Sequence, residues 1–373
     1  MFTFATAASI RFGVGISSQL DELLSGRHPF VLTGSTPGRH SAHAALADAP
    51  THRVAGEPTF EEARAAVAAC RASGADTVVG IGGGAVIDLA KAVSVLAAQP
   101  GDPLDYAEVI GAGRALGPQK LRMIAVPTTA GTGSEVTANA VLSSAEHAVK
   151  VSLRGPAMLP DVALVDPALT VSAPPSVTAS SGMDALTQCI EPYTTPFANP
   201  LTDGFAREGM RRARSLTRAF THPDDLDART DMSLCSLLGG LSLANSKLGA
   251  VHGFAGVIGG VTGAPHGAIC AALLAPVTTV NLMAMFDREP DNPAIERYRE
   301  AGGILTGAPH TSALQEWLRE LVRHLALRDL RTLGLQEDRW DEVATKAAAA
   351  SSMKGNPIVL THEELLGVLE AAS

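Results

Sequence analysis

The chain has 373 residues, of which 46% are hydrophobic and 18% charged, and its formal net charge is −9. This apolar content is enough for packed cores, which excludes a largely disordered protein, and the length favours two domains. The acidic balance and the absence of a Lys/Arg block exclude an extended nucleic-acid-binding surface.

The four cysteines, Cys70, Cys189, Cys235 and Cys270, lie far apart and form no C-x-x-C pair. We interpret them as buried thiols of a reducing compartment and not as a disulfide or zinc framework. The N-terminus has no basic segment ahead of an apolar one, and we find no apolar run of about 18 residues, so we expect neither a signal peptide nor a membrane span. These features predict a soluble, cytoplasmic protein.

The first half of the chain alternates strand-like and helix-like segments. Short apolar or β-branched runs predict strands at 28–32, 51–55, 76–81, 121–126 and 161–165. Thr59-Phe60-Glu61-Glu62 resembles a capping box that opens a helix ending near Ser73, and a second amphipathic helix is expected over 86–97. Such alternation predicts a parallel sheet with helices on both faces.

The character of the sequence changes after Pro174-Pro175, where helical periodicity begins to dominate and convincing strands disappear. The predicted helices are 180–190, 201–220, 229–248, 297–306, 312–325, 340–353 and 361–372. We therefore predict an α/β domain over residues 1–172 followed by an all-helical domain over residues 173–373.

Gly82-Gly83-Gly84 stands between a predicted strand and a predicted helix. Glycines there let the backbone approach a ligand closely, and the helix N-terminus attracts an anion such as phosphate. A plain strand-to-helix turn that needs positive φ explains the same residues, because the triplet is not the G-x-G-x-x-G fingerprint. In the following helix, Asp88 and Lys91 either form a surface i,i+3 ion pair or place Asp88 towards the ligand.

A run of hydroxyl-bearing and small residues, Thr128–Glu135, follows the strand predicted at 121–126. Ligands of α/β sheets bind at the C-terminal ends of the strands, and such a run can donate several hydrogen bonds to phosphate or ribose oxygens. The alternative is a Ser/Thr-rich turn that carries a helix N-cap.

A second set of polar residues has the chemistry of a metal site. Asp184 and Gln188 are four residues apart and share one face of a helix, and His252 and His266 lie in apolar, glycine-rich sequence. Four oxygen and nitrogen donors of this kind suit Fe²⁺ or Zn²⁺. The alternative is a pair of core histidines whose ring nitrogens bond to the backbone.

These segments together resemble the iron-containing (group III) alcohol dehydrogenase family, and the resemblance runs from Phe12 to about Val277. The segments that carry it are Gly82–Lys91, Pro127–Glu135, Ser181–Gln188 and His252–Gly267. It implies a dehydroquinate synthase-like fold, with a dinucleotide-binding domain over residues 1–172 and a metal and substrate domain over residues 173–373. It also implies NAD(P)(H), a divalent metal and a homodimer.

The resemblance implies roles for individual residues. The implied metal ligands are Asp184, Gln188, His252 and His266. Of these, the implied catalytic residues are Asp184, His252 and His266. The implied dinucleotide contacts are Gly82, Gly83, Gly84, Asp88, Thr128, Thr129, Thr132, Ser134 and Lys150.

Three residues depart from the family. Gln188 stands where the family usually has histidine, and its neutral oxygen is a weaker ligand than imidazole, so iron, zinc, another ion or an empty site remain open. Gly256 replaces the second histidine of an H-x-x-x-H segment. Ala85 replaces a serine after the triple glycine and removes one hydroxyl donor to phosphate.

The end of the first predicted strand bears on the choice between NADH and NADPH. NAD-preferring proteins place an acid there, which binds the ribose 2′-OH and repels a 2′-phosphate. Gly34 occupies that place here and is followed by Ser35, Thr36 and Arg39. Because no carboxylate opposes the 2′-phosphate, we predict that NADPH is accepted at least as well as NADH.

The predicted reaction is reversible hydride transfer between a nicotinamide and an alcohol/carbonyl pair, assisted by a Lewis-acid cation. Three alternatives remain: a metal-free maleylacetate reductase-like enzyme, suggested by residues 30–38; a lyase or cyclase on the dehydroquinate synthase-like fold; and a non-catalytic nucleotide-binding scaffold. Phe254, Val257 and Ile258 suggest an apolar substrate pocket, whose substrate is not predicted.

Overall fold

The computed structural model describes residues 1–35, 43–108, 110–144, 146–147 and 149–373. These residues form two compact units. The α/β unit consists of Ala5–Thr129 and Gly133–Ser172, and the helical unit consists of Met1–Phe4, Ala130–Thr132 and Ala173–Ser373. Thr36 and Arg39, which entered the prediction about NADPH, lie outside the described residues.

The α/β unit is built on a parallel sheet of six strands, which confirms the predicted fold class. Its strands are β1 (Ser9–Phe12), β2 (Pro29–Thr33), β3 (Thr51–Arg53), β4 (Thr77–Gly82), β5 (Arg122–Pro127) and β8 (Val162–Val165). Their order across the sheet is β1-β8-β5-β4-β2-β3, and all neighbouring pairs run parallel.

Three strands of this unit were not predicted. β1 carries Arg11 among its four residues, so it lacks the apolar run of a buried strand. The other two, β6 (Asn139–Ser144) and β7 (Val149–Arg154), form a separate antiparallel pair. Both alternate polar and apolar side chains, as a half-exposed hairpin does.

Helices cover both faces of the six-stranded sheet. They are α1 (Leu20–Leu23), α2 (Phe60–Ser73) and α3 (Gly84–Leu96). Successive residues of β4 point to opposite faces, so Val78 joins the core on the side of α2 and α3, and Val79 joins the core on the side of α1. The Thr59 half of the predicted capping box is present, because the Thr59 side chain accepts a hydrogen bond of 3.1 Å from the backbone N–H of Glu62.

The helical unit contains ten α-helices among the described residues. They are α4 (Pro175–Thr194), α5 (Pro200–Ala213), α6 (Leu216–Thr221), α7 (Leu226–Asn245), α8 (Ala250–Thr262), α9 (His266–Arg288), α10 (Ala294–Thr306), α11 (Thr311–His324), α12 (Trp340–Ala349) and α13 (His362–Ala371). The helix predicted over 201–220 is two helices, α5 and α6. Helices α8 and α9 were not predicted, because their glycines and unbroken apolar sequence hide the helical period.

The core of the helical unit is arranged around α4, which packs against α5, α7 and α9. Within the described part of the chain, α9 is long and apolar enough to cross a membrane by length and composition, and α7 with α8 would also pass if taken as one span, although they meet at 98°. Helix α9 passes by its average hydropathy and not as an unbroken apolar run, because Thr278, Thr279 and Asn281 interrupt its apolar residues. Of the most apolar window of α9, 72% is buried inside the fold, as in the core helix of a globular protein.

Candidate active site

Helix α4 carries three buried polar side chains along one face. Asp184, Gln188 and Glu191 follow one another at intervals of four and three residues, which places them one above the other on a helix. Their exposed fractions are 2%, 3% and 5%. Two carboxyl groups and an amide inside an apolar core need partners, because burial of an unpaired polar group costs several kcal/mol.

Helices α8 and α9 bring the two histidines to this face of α4. His252 lies in the first turn of α8, and His266 is the first residue of α9. The two helices are joined by a short turn in which Gly263 adopts the left-handed conformation, with φ of 69°. The start of α9 approaches α4 so closely that a Cβ at Gly267 would lie 2.5 Å from the carbonyl oxygen of Ser180.

The side chains meet at Asp184. Its Oδ1 lies 3.4 Å from His252 Nε2 and 3.7 Å from His266 Nε2, and the two imidazole rings are 5.4 Å apart between centroids. Cys270, one turn after His266, joins this group, and one ligand atom from each of the four residues lies within 4.8 Å of the others. All four cysteines are buried and unbridged, as predicted, but Cys270 lies in a group that could hold a metal.

Three atoms of the predicted ligand set have no hydrogen-bond partner among the described residues. They are Asp184 Oδ1, Gln188 Oε1 and His252 Nε2, all buried. The alternative of core histidines bonded to the backbone is wrong for Nε2 of His252. Buried polar atoms are nearly always paired, so a cluster of unpaired acceptors is the arrangement that a bound cation completes. These residues fit a divalent metal.

Glu191, which was not predicted as a site residue, holds His252 in place. His252 Nδ1 donates to Glu191 Oε2 at 2.6 Å, and the backbone N–H of Val251 donates to Oε1 at 2.7 Å. With Nδ1–H held by Glu191, Nε2 is the nitrogen that would offer its lone pair once a metal displaced its proton, as in the carboxylate–histidine pairs that orient metal ligands. The spacing of seven residues from Asp184, which returns to the same helix face, was the available signal.

The buried charges shift the ionisation of the cluster. Burial alone would lower the pKa of His252, but the neighbouring carboxylates of Glu191 and Asp184 outweigh it and raise this pKa to about 10. Burial would likewise raise the pKa of Asp184, yet interactions with His266, His252 and Cys270 lower it below its usual range. Two carboxyl groups thus favour positive charge at this point, whether from protons or from a metal.

The glycine triplet lies where β4 ends and α3 begins. None of its three residues has positive φ, so the turn that was the alternative explanation is wrong. A Cβ at Gly82 would overlap the side chain of Val86, and glycine is needed there for this close approach. Because the N-cap of α3 is Gly83, no side chain caps the first N–H groups of the helix, which leaves them for an anion.

Two of the predicted threonines, Thr128 and Thr129, lie beside this triplet in the α/β unit. Thr128 donates its backbone N–H to Gly82 O at 2.9 Å, and a Cβ at Gly83 would lie 3.3 Å from Thr129 Oγ1. A Cβ at Gly34 would lie 3.7 Å from Val86 Cγ2, which places the end of β2 against the first turn of α3. Thr132 belongs to the helical unit.

The side chains of Asp88 and Ser134 are hydrogen-bonded to each other. Ser134 Oγ donates to Asp88 Oδ1, and Lys91 Nζ lies 3.0 Å from the same oxygen. Lys91 also donates to Thr137 Oγ1 at 3.0 Å, and its side chain is fully buried. The predicted i,i+3 ion pair exists, but it is internal and not on the surface. The predicted contact Lys150 has a side chain 12% exposed, and its Nζ lies 3.4 Å from Glu57.

The apolar residues suggested as a substrate pocket are mostly core residues. Phe254 and Ile258 are fully buried in the core of the helical unit, whereas Val257 is half-buried against it. At Gly256 a Cβ would meet no atom within 4 Å, so the position of the missing histidine is open space.

Two family models match most of the chain. The model described as iron-containing alcohol dehydrogenase matches residues 7–167, and the one for the C-terminal part of the Fe-containing alcohol dehydrogenase family matches residues 178–373. The chain belongs to the iron-containing alcohol dehydrogenase family. It is accordingly a nicotinamide-dependent oxidoreductase of alcohols and aldehydes, in a family that uses NAD(P) and binds metal.

Individual members of the family are similar over most of their length. Long-chain-alcohol dehydrogenase 1 of Geobacillus thermodenitrificans is 35% identical over 325 residues, which cover 86% of this chain and 80% of the relative. The 1,3-propanediol dehydrogenase of Klebsiella pneumoniae is 33% identical over 321 residues, covering 84% and 80%.

Solved structures of the family share the whole fold. A 1,3-propanediol oxidoreductase superposes with a TM-score of 0.88 at 29% identity, over 100% of both chains. The iron-containing alcohol dehydrogenase of Thermococcus thioreducens gives 0.87 at 28% identity, over 99% of each chain. Sulfoacetaldehyde reductase of Bifidobacterium kashiwanohense, in complex with NAD⁺, gives 0.87 at 26% identity, over 99% of this chain and 98% of that one.

Proposed function

We propose that this alcohol dehydrogenase interconverts a small alcohol and its aldehyde or ketone at a divalent cation held by Asp184, Gln188, His252 and His266. The observation that carries the proposal is the set of buried atoms left without hydrogen bonds, Asp184 Oδ1, Gln188 Oε1 and His252 Nε2. A metal-free reductase has no need for such buried, unpaired oxygen and nitrogen atoms, since each lowers the stability of the fold unless a bound ligand pairs with it.

When bound, the cation supplies Lewis-acid stabilisation of negative charge on the substrate oxygen, and the nicotinamide supplies or accepts the hydride. The residues of the chain prepare this chemistry. Asp184 brings a negative charge to the centre of the cluster, and His252 presents Nε2 because Glu191 holds its other nitrogen. Burial excludes water from the ligand atoms, which strengthens their electrostatic effect.

We infer that residues 1–172 bind the dinucleotide and residues 173–373 hold metal and substrate. The uncapped start of α3 supports a pyrophosphate beside Gly82, Gly83 and Gly84. Thr128 and Thr129, which adjoin the triplet, would donate to its oxygens, and Thr132, Lys150, Ser134 and Asp88 complete the proposed contacts. Asp88 and Ser134 would act mainly by fixing the loop, because they are bonded to each other.

We also infer that NADPH is accepted at least as well as NADH. The supporting observation is Gly34 at the end of β2, packed against Val86, where an acid would oppose the 2′-phosphate. Steady-state kinetics with both cofactors tests this. A kcat/KM for NADH more than about tenfold above that for NADPH, equivalent to about 1.4 kcal/mol, would contradict it.

The metal is proposed to be Fe²⁺ or Zn²⁺, and the protein a cytoplasmic homodimer. Four buried, unbridged cysteines support a reducing compartment. Elemental analysis of protein purified without chelator tests the metal, and light scattering tests the dimer. About one iron or zinc per chain is expected.

The decisive experiment removes two ligands at once. In the double variant Asp184→Ala with His252→Ala, turnover and metal content are expected to fall below detection, because both removed side chains meet at one point. Dinucleotide binding, followed by nicotinamide fluorescence, is expected to stay near that of the wild type, since all of its proposed contacts except Thr132 lie in the other unit.

Unchanged turnover in the double variant would overturn the metal role and favour the metal-free maleylacetate reductase-like alternative. Consumption of substrate without net change of nicotinamide absorbance would favour a lyase or cyclase. Dinucleotide binding by the wild type without metal and without turnover would favour the scaffold.

A further inference from the structure

Cys270 lies inside the proposed metal site but has no place in the ligand set expected for the family. It follows His266 by one turn of α9, and its Sγ lies 3.6 Å from His266 Nε2. The residue is completely buried. Its sulfur belongs to the same group as the ligand atoms of Asp184, His252 and His266, all mutually within 4.8 Å.

Three of the six distances within this group match those of atoms that share one cation. A tetrahedral ion with bonds of 2.0–2.1 Å to nitrogen and oxygen and 2.3 Å to sulfur separates its ligands by about 3.4 Å and, where sulfur is involved, by about 3.6 Å. The structure has 3.4 Å from His252 to Asp184, 3.7 Å from His266 to Asp184 and 3.6 Å from Cys270 to His266.

The polar atoms around Cys270 point to a ligand independently of the thiol. Asp184 Oδ1 and His252 Nε2 are buried without a hydrogen-bond partner among the described residues, and their side chains are 2% and 6% exposed. Gln188, in contrast, offers only a neutral oxygen. A thiolate ligand from α9 would compensate for the metal affinity that the site loses without an imidazole at position 188.

We propose that Cys270 is a metal ligand, so that its thiolate, in the place that the proposed function gives to the Gln188 oxygen, completes a four-residue site with Asp184, His252 and His266. This rests on the proposed function, because it presumes a cation at Asp184. Binding releases the thiol proton to solvent as the metal–sulfur bond forms, with no change of oxidation state. Since thiolate is a soft donor, the site selects Zn²⁺ over Fe²⁺.

The test reads the metal–sulfur bond directly in the full-length wild-type protein. X-ray absorption of the zinc-loaded enzyme is expected to show one sulfur at about 2.3 Å besides nitrogen and oxygen. Cobalt-loaded enzyme is expected to show a thiolate-to-cobalt charge-transfer band in the near ultraviolet. Both measurements are independent of catalytic activity.

The variants Cys270→Ala and Cys270→Ser are compared with Cys235→Ala as the matched control. Cys235 is equally buried in the helical unit, and its Sγ lies 4.0 Å from Cys189 Sγ. It does not belong to the group around Asp184. Cys270→Ala should lose the charge-transfer band and weaken zinc binding by more than about tenfold, because even loss of an outer-shell partner costs 10–100-fold. Cys235→Ala should keep both.

The outcomes separate this inference from the proposed function. Zinc bound through nitrogen and oxygen alone in the wild type, or a charge-transfer band that survives in Cys270→Ser, would overturn the role of Cys270 and leave the metal role intact. Failure of the wild type to bind zinc, cobalt or iron at all would overturn both. A variant that does not fold leaves the wild-type spectra to decide.

Discussion

Replacement of Glu191 by glutamine tests whether a carboxylate behind His252 controls the proposed metal site. Two N–H groups point at this side chain, one from the His252 ring and one from the backbone of Val251. The carboxylate accepts both, whereas a glutamine has one accepting oxygen and one donating NH₂ group. The Glu191→Gln variant therefore leaves one donor facing another.

The imidazole can relieve this conflict by moving its proton from Nδ1 to Nε2. The proton then occupies Nε2, which lies 3.4 Å from Asp184 Oδ1, and the lone pair of Nε2 is no longer available to a cation. A hydrogen bond to a charged partner contributes about 1.5–3 kcal/mol net, and loss of an outer-shell partner of a metal ligand costs about 10–100-fold in affinity. We expect the metal Kd of Glu191→Gln to rise by about this factor.

Competition with a chromophoric chelator measures the metal Kd, and kcat is then measured at saturating metal. Glu300→Gln is the matched control, because Glu300 is a carboxylate of the same unit that pairs with Arg207 and Tyr193 and not with the metal group. It should bind metal as the wild type does. A purely structural role of Glu191 would lower the melting temperature of the metal-free protein without this change in Kd.

A metal Kd of Glu191→Gln within about twofold of the wild-type value, in a variant with unchanged circular dichroism, would refute the reasoning. So would an equal loss of affinity in Glu300→Gln, since that carboxylate pairs with Arg207. In either case the bond between Glu191 and His252 would be a packing feature.

Three further perturbations follow from the same structure. Gln188→His, which restores imidazole, should raise iron content in elemental analysis, and an unchanged content would show that position 188 does not limit binding. Gly267→Ala should lower the free energy of unfolding in urea by about 1–3 kcal/mol, because its Cβ would lie 2.5 Å from the Ser180 carbonyl oxygen. Gly204→Ala is the control and should not lower it, because a Cβ there would meet no atom within 4 Å. Equal losses in the two variants would contradict this explanation. Burial raises the pKa of Glu135 to about 7, although its own backbone hydrogen bond and the charge of Lys91 oppose this shift. Between pH 4.5 and 7 the folded protein therefore binds more protons than the unfolded chain, and the free energy of unfolding falls as the pH rises. This fall, about 3 kcal/mol, should be absent in Glu135→Gln, and parallel pH profiles of urea unfolding would disprove it.

The sequence alone predicted a parallel sheet and five of its six strands; it missed β1. The buried strands are short runs of β-branched and apolar residues bounded by turns, and such runs can be recognised from the local sequence alone. It also placed Asp184 and Gln188 on one helix face, since a spacing of four residues fixes that wherever a helix forms. The family followed from the order of four segments, each of them weak by itself.

Sequence periodicity failed where the surroundings decide the structure. Helices α8 and α9, which carry both histidines, contain glycines and continuous apolar residues, so no polar face marks a helical period. They are helices because the core of the helical unit covers them on most sides, and tertiary packing outweighs a propensity loss of about 1 kcal/mol per glycine.

Local spacing could not reveal which residues meet across the helical unit. Cys270 was interpreted as an ordinary buried thiol, because nothing in its own segment indicates that α9 places it beside Asp184 of α4. Glu191 looked like any acid in a helix until His252 of α8 was found against it. Sequence specifies local geometry through the periods of helix and strand, but a site is made by contacts between residues distant in the chain, which only the folded core brings within bonding distance.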